Sequence, residues 1–464
     1  MQTRDAQATG AANTSAKKKV HFISLGCPKN LVDSEVMAAT LMADGYEVVS
    51  EADGADTVVV NTCGFIDDAK QESVSKILEM GELKDSGSVK RLVVAGCLAQ
   101  RYKEELVDGL PEADLFIGSG EFQNIGKILR RHDEGDQRRS FFHLPTYLQQ
   151  PDTPRVNSQP GHRAYIKISE GCKKRCSFCA IPKIRGNLQS RSLDAILAEA
   201  KLLAAGGVRE LIVISHDFTD YGWDLRRRDP SARETPVQLL RELGAVNGID
   251  WVRVLYMYPD GVNAEVINLM KQNGKILPYF DMPLQHINDT ILAKMNRKMN
   301  RALIENVLRQ IRSELPQAVV RTQFIVGFPG ETEEQFQELL DFVRQQEFDR
   351  VGCFQYSPEE DTPAGRMAEQ IEDKLKEDRY HRLMAVQQKV SQRKQRALKG
   401  QIVEVVVEGY SEETDLLLQG RTAMQAPDID GVVLINSGNA EIGQVVKVRI
   451  TDTTDYDLIG EIID

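Results

Sequence analysis

The stretch Ser169-Glu170-Gly171-Cys172-Lys173-Lys174-Arg175-Cys176-Ser177-Phe178-Cys179 decides how this 464-residue chain is read. It sets three cysteines within eight residues, spaced C-x-x-x-C-x-x-C. Three thiolates so close can grip three corners of a four-iron, four-sulfur cube and leave the fourth iron without a protein ligand. An open iron can take a small molecule through an amino and a carboxylate group. Zinc is the rival metal, but structural zinc closes with four ligands, commonly in C-x-x-C pairs. No fourth Cys or His lies close by; the nearest histidines are His162 and His216. The preceding Tyr165-Ile166-Lys167-Ile168 alternates and reads as a strand, so the loop would leave a strand's C-terminal end, where α/β barrels place chemistry.

This spacing, with an aromatic before the last cysteine, resembles the radical S-adenosylmethionine superfamily. The resemblance implies S-adenosylmethionine on the open iron. It also implies that Phe178 helps hold the cluster loop near the cofactor's adenine, beside the plainer reading of Phe178 as core packing.

Downstream, from about 161 to 368, strands and helices alternate. Strands are expected at 164–169, 210–215, 251–257, 278–284, 318–326 and 350–356. Helices are expected at 192–205, 234–244, 262–272, 301–314 and 333–345. Six such units make a partial (β/α)6 barrel. Ile214-Ser215-His216-Asp217, Pro283-Leu284-Gln285-His286 and Gly327-Phe328-Pro329-Gly330-Glu331 fall at strand ends. Gly327 and Gly330 would let backbone approach the cofactor closely, or simply make a tight strand-to-helix turn. His286 is a hydrogen-bonding partner or a satisfied core histidine. At His216 the chain departs from the family pattern, where Gln is usual after Ile-Ser.

Upstream, Cys27, Cys63 and Cys97 recur 36 and 34 residues apart, each after an apolar run and before a helix-like segment (about 31–44, 66–82 and 98–108). Strand, turn and helix at this spacing predict an open parallel α/β sheet. Parallel strands place their C-terminal ends on one edge, so the three cysteines should converge there and offer a second site with an open iron. A small buried core residue is the alternative for any one of them. Cys353, alone in the strand-like Val351–Tyr356, reads as a structural thiol.

The organisation expected is a disordered tail over 1–17, the α/β sheet domain over 18–135, a linker over 136–160, the barrel over 161–371, a connecting helix over 372–396 and a last domain over 397–464. The last shows five short period-two runs, as in a small β-barrel of the oligonucleotide-binding type. It carries four Lys and Arg against thirteen Asp and Glu. That balance disfavours RNA and favours a basic protein, or serves solubility alone. The whole chain, with 58 Lys and Arg against 69 Asp and Glu, also lacks the charge for bulk attraction to nucleic acid or an anionic membrane. No apolar run of 18 residues predicts a membrane helix. The metal-like clustering of seven cysteines fits a reducing cytoplasm.

Leu25-Gly26-Cys27-Pro28-Lys29-Asn30, Asn61-Thr62-Cys63-Gly64-Phe65-Ile66 and Gly96-Cys97-Leu98-Ala99-Gln100-Arg101 resemble the methylthiotransferase family, and the last domain resembles its TRAM domain. Gly26-Cys27-Pro28-Lys29-Asn30 and Tyr356-Ser357-Pro358-Glu359-Glu360-Asp361-Thr362-Pro363 look like the branch that methylthiolates the β-carbon of an aspartate in small-subunit ribosomal protein twelve. The branch acting on isopentenyl-adenosine tRNA is the alternative. A non-catalytic metal-bearing module that binds RNA is a third reading. The resemblance implies two [4Fe-4S] clusters, one on Cys172, Cys176 and Cys179 and one on Cys27, Cys63 and Cys97. The first would split S-adenosylmethionine to a radical that takes the hydrogen, and the second would present sulfur. It also implies an external electron donor such as flavodoxin or ferredoxin.

Overall fold

In the computed structural model, residues 17–463 are described. All of the expected tail except Lys17 lies outside them. The N-terminal domain is built on six strands: β1 (Lys19–Ser24), β2 (Glu47–Val49), β3 (Thr57–Thr62), β4 (Arg91–Gly96), β5 (Leu115–Gly118) and β6 (Ser140–Phe141). They run parallel in the order β2-β1-β3-β4-β5-β6. Helices α1 (Pro28–Ala43), α2 (Asp67–Asp85), α3 (Cys97–Tyr102), α4 (Glu104–Gly109) and α5 (Ile125–Asp133) cover the sheet. Strand β3 is buried along its whole length, as a central parallel strand covered on both faces must be.

Two expectations change here. The single helix read over 98–108 is two short helices, because Lys103 adopts φ 49° and breaks the hydrogen-bond ladder. The stretch 136–160 does not act only as a linker. Ser140–Phe141 adds the sixth strand, and Arg155 bridges Glu35 of α1 (2.6 Å) to Glu199 (2.6 Å) of the next domain.

The central domain begins with β7 (Arg163–Lys167). Its cluster loop is framed by the short antiparallel pair β8 (Ser169–Glu170) and β9 (Gln189–Ser190) and by helix α6 (Ile181–Arg185). Strands β10 (Glu210–Ile214), β11 (Trp251–Val254), β12 (Tyr279–Asp281), β13 (Val319–Val326) and β14 (Arg350–Gln355) follow. All neighbours pair in parallel, and the bridge Val252–Ile276 joins the two half-sheets into one curved row. No pairing closes β14 onto β7 among the described residues, so the barrel is partial. Helices α7 (Leu193–Ala205), α9 (Pro236–Gly244), α10 (Ala264–Gln272), α12 (Arg301–Glu314) and α13 (Glu333–Gln346) sit where the periodicity predicts them; the short α8 (Trp223–Arg228) and α11 (Asp289–Lys294) carry too few turns to show a period.

Helix α14 (Asp373–Arg396) leads to a closed five-stranded barrel of β15 (Ile402–Ser411), β16 (Thr414–Arg421), β17 (Val433–Ser437), β19 (Leu458–Ile462) and β18 (Val445–Thr453). Its core is Val405, Val407, Val433, Ile435, Val448, Ile450 and Leu458. This barrel docks on the central domain through buried ion pairs: Arg421 to Glu210 (2.7 Å), a carboxylate that also holds Arg253 of the central domain (2.8 Å), and Arg163 to Glu408 (3.0 Å).

Both flanking domains also reach into the lumen of the partial barrel. Leu31 and Val32 of α1 enter it together with Ala423, Met424, Ala426 and Ile429 of the last domain. There they pack against Tyr165, Ile212, Ile214, Leu255 and Tyr279. The first helix of one domain is thereby held in the mouth of the next.

Candidate active site at the junction of the first two domains

Cys27, Cys63 and Cys97 stand directly beyond the C-terminal ends of the adjacent strands β1, β3 and β4. The backbone is shaped to let them meet. Gly26 sits at φ 86°, and a Cβ there would fall 2.7 Å from Cys63 Cβ and 3.0 Å from its sulfur. Gly96, at φ 96°, has the Asn61 side-chain oxygen in the place of a Cβ. Two asparagines tie the strand ends together: Asn30 donates to the carbonyls of Thr62 (2.8 Å) and Leu25 (3.1 Å), and Asn61 donates to that of Asn30 (2.8 Å).

The second triad is set by one loop. Gly171, at φ 66°, presses on the carbonyls of Gly186 and Asn187, and Cys172 N–H donates to Gly186 (3.2 Å). Ser177 N–H donates to Met295 (2.9 Å), and its own carbonyl accepts from Ala364 (2.9 Å). Phe178 packs with Ile291, Met295, Phe328 and Tyr356, which anchors the loop on the barrel rim. Arg297 lies 3.8 Å from the sulfur of Cys176.

The two triads meet. Cys97 packs against Ala180, the residue after Cys179, and against Ile184. Arg185 donates to the Cys97 sulfur from Nε (3.4 Å) and Nη2 (3.3 Å), to Asp33 (2.8 Å) and Glu170 (3.0 Å) from Nη1, and to Asn30. Lys167 at the end of β7 pairs with Asp33 and with Glu170 (2.9 Å). Lys29 donates to the Ser215 carbonyl (3.0 Å) and lies over the Tyr256 ring (3.9 Å). On the far side of the junction Arg101 and Lys70 both pair with the buried Glu359, at 2.8 and 3.0 Å.

Burial pushes the Cys97 and Cys172 thiols up to about 12, and pushes Cys179 and Cys63 up as well. The triad neighbours reinforce this, since each nearby thiolate disfavours another: Cys27 and Cys63 act on Cys97, and Cys176 acts on Cys172. Such groups need a bound cation to draw off their protons. Each donor set offers three thiolates, the ligand type that holds an iron–sulfur cluster, and both fit one on this chemistry.

Other candidates lie as follows. Gly327 and Gly330, at φ 72° and 73°, form a turn closed by the chain's own side chains. The Gly327 N–H donates to Glu331, and Lys376, Glu369 and Lys294 fill the space a Cβ would take. The turn itself accounts for both glycines. His286 is fully buried and accepts from Asn288 N–H (3.0 Å). Burial beside Lys29 holds His216 well below the usual histidine range, so it is neutral. Cys353 is buried in the barrel core, away from both triads. Arg185, Lys167, Asp33 and Glu170 carry no sequence signal, because their partners lie up to 155 residues away.

The chain matches the uncharacterized protein family UPF0004 over residues 19–118, the radical SAM superfamily over 166–343 and the TRAM domain over 400–463. It is 67% identical over 450 residues to the ribosomal protein uS12 methylthiotransferase RimO of Bdellovibrio bacteriovorus, covering 97% of this chain and 98% of that protein. It is 48% identical to RimO of Trichlorobacter lovleyi, covering 97% and 99%. Among solved structures, the radical S-adenosylmethionine methyltransferase TsrM from Kitasatospora setae aligns at 16% identity over 75% of each chain, with a TM-score of 0.52, a likeness of fold alone. No helix among the described residues is long and apolar enough to cross a membrane. Identity of this extent over nearly the whole length, together with the three domain matches, places the chain in the RimO family of radical S-adenosylmethionine methylthiotransferases.

Proposed function

We propose that this chain adds a methylthio group to the β-carbon of an aspartate of ribosomal protein uS12, with one [4Fe-4S] cluster on Cys172, Cys176 and Cys179 and a second on Cys27, Cys63 and Cys97. The observation that carries the reading is the contact of Cys97 with Ala180, which brings two cysteine triads from separate domains to one junction. When bound, the clusters and S-adenosylmethionine supply the one-electron chemistry needed to open an unactivated C–H bond and the sulfur to place there.

The chain's own residues hold, orient and shield. Asn30 and Asn61 fix the strand ends that carry the first triad. Ser177 and Phe178 fix the loop that carries the second. Leu31 and Val32 fill the barrel mouth with apolar side chains and so keep water from the junction. Arg185 brings a buried positive charge to the Cys97 sulfur, and Asp33 and Glu170, shared with Lys167, hold it there. A one-electron donor of the flavodoxin or ferredoxin kind, and a cytoplasmic setting, follow from this chemistry.

The basic substrate has an acidic counterpart. Glu408 and Asp430 are largely buried against the central domain, and Asp428, though exposed, pairs with Arg163, so the charge of all three is turned toward that domain. Glu412, Glu413 and Asp415 are exposed at the tip of the β15–β16 hairpin, beside exposed Tyr410 and Leu416. That tip has the charge to meet a basic ribosomal protein. The test is mass spectrometry of purified uS12 and of isopentenyl-adenosine tRNA after incubation with the reconstituted enzyme. Methylthiolation of uS12 supports the reading. Methylthiolated tRNA with unmodified uS12 overturns the substrate and leaves the radical chemistry standing.

A further inference from the structure

We propose that Arg185 is a positioning residue of the Cys27, Cys63 and Cys97 site, where its guanidinium holds the Cys97 sulfur and favours the reduced form of the cluster bound there. This rests on reading those cysteines as cluster ligands.

Arg185 is 1% exposed, and all three of its nitrogens donate. Two contacts fall on one sulfur, at 3.3 and 3.4 Å. The remaining donors are held by Asp33, Glu170 and Asn30, so the planar fork is locked in orientation. Reducing a cluster adds negative charge to its sulfurs, and hydrogen bonds to those sulfurs from a desolvated cation stabilise that charge. The nearby anions do not cancel the effect. Asp33 and Glu170 are each shared between Arg185 and Lys167, so neither counter-charge belongs to Arg185 alone, and its N–H groups remain aimed at the sulfur.

The placement also links the two triads. Arg185 ends the helix that begins two residues after Cys179, and the next residue, Gly186, accepts the Cys172 N–H. One turn of chain therefore braces a ligand of each site. A lysine would supply charge without the fork.

The test uses the full chain with Cys172, Cys176 and Cys179 all replaced by Ala, so that only the other triad can hold a cluster. It is reconstituted with iron and sulfide and titrated potentiometrically with electron paramagnetic resonance detection. Arg185→Gln should shift the midpoint to more negative potential. Arg185→Lys should shift it the same way by less. Asp33→Asn, which frees Arg185 from one counter-charge, should shift it the opposite way. Asp33→Asn and Arg185→Lys decide the sign even where Arg185→Gln does not fold. Midpoints unchanged at equal iron content, or an Asp33→Asn shift in the same direction as Arg185→Lys, would overturn the proposal. A parent protein that binds no iron at Cys27, Cys63 and Cys97 would overturn the underlying reading, and the proposal with it.

Discussion

The two cysteine triads of this protein are made in opposite ways. Cys172, Cys176 and Cys179 belong to one loop, pinned to the barrel rim by Ser177 and Phe178. Cys27, Cys63 and Cys97 come from three strand ends and exist as a site only when β1, β3 and β4 are paired in register. The first site is local and the second is tertiary. A local site can survive damage elsewhere in the molecule, whereas a tertiary one inherits every fault of its sheet and of the junction that covers it.

The largest effects should come from the ligands themselves and should separate the triads. Cys176→Ala should abolish reductive cleavage of S-adenosylmethionine, measured as deoxyadenosine, because two thiolates cannot hold the cube. Cys63→Ala should leave that cleavage largely intact and stop methylthio transfer. If Cys63→Ala removed all deoxyadenosine while the other cluster remained intact by iron content, the division between the sites would be wrong.

Next comes the seam. Glu359 is buried under both Arg101 and Lys70, so Glu359→Gln removes the nearest counter-charge of each, leaves Glu360 at 3.9 Å from both, and should cost about 1–3 kcal/mol in denaturant unfolding. It should also lower methylthio transfer more than cleavage, because Arg101 and Lys70 belong to the tertiary site's domain. Equal loss of both would erase the contrast. Gly26→Ala is subtler. A side chain at φ 86° against Cys63 costs about 1–3 kcal/mol of strain and should lower the iron bound by the tertiary triad while sparing the local one. The smallest effect is the one furthest from both triads. Replacing Glu412, Glu413 and Asp415 by Lys should weaken uS12 binding several-fold at low salt and less at physiological salt, where exposed charges are screened over about 8 Å. Uncoupled cleavage should not change, and an uncoupled rate that fell with binding would show that the hairpin is not independent of the local site.

The same contrast explains what the sequence could reveal. The local triad is written as spacing, and the six barrel strands are written as buried runs between helical periods, so both are legible. The tertiary triad is legible only because βα repetition carries its own topology: parallel strands must align their C-terminal ends. The network around it was not. Nothing in Ile181-Pro182-Lys183-Ile184-Arg185 says that the arginine meets Cys97, because the contact depends on how two domains dock. Ser140–Phe141 failed for a different reason, since a two-residue strand has no period to detect. The charge of the last domain is legible as a sum but not as a distribution, because Glu408 and Asp430 are largely buried against the central domain.

The ionic seat beneath that last domain has a mechanical consequence. Arg421 of the last domain and Glu210 of the central domain are almost fully buried against each other, with Arg253 on the same carboxylate, so lifting the barrel off would break this pair and the Arg163–Glu408 pair together. A module so seated does not sweep through space on a tether and raise the local concentration of whatever it catches. It holds the acidic hairpin tip at one fixed distance from the cysteine junction. On the docking role proposed for that tip, selectivity becomes a matter of span: a basic protein engages both only if its docking surface and its reacting aspartate are separated by that distance, and one of equal charge but different span is held without being modified.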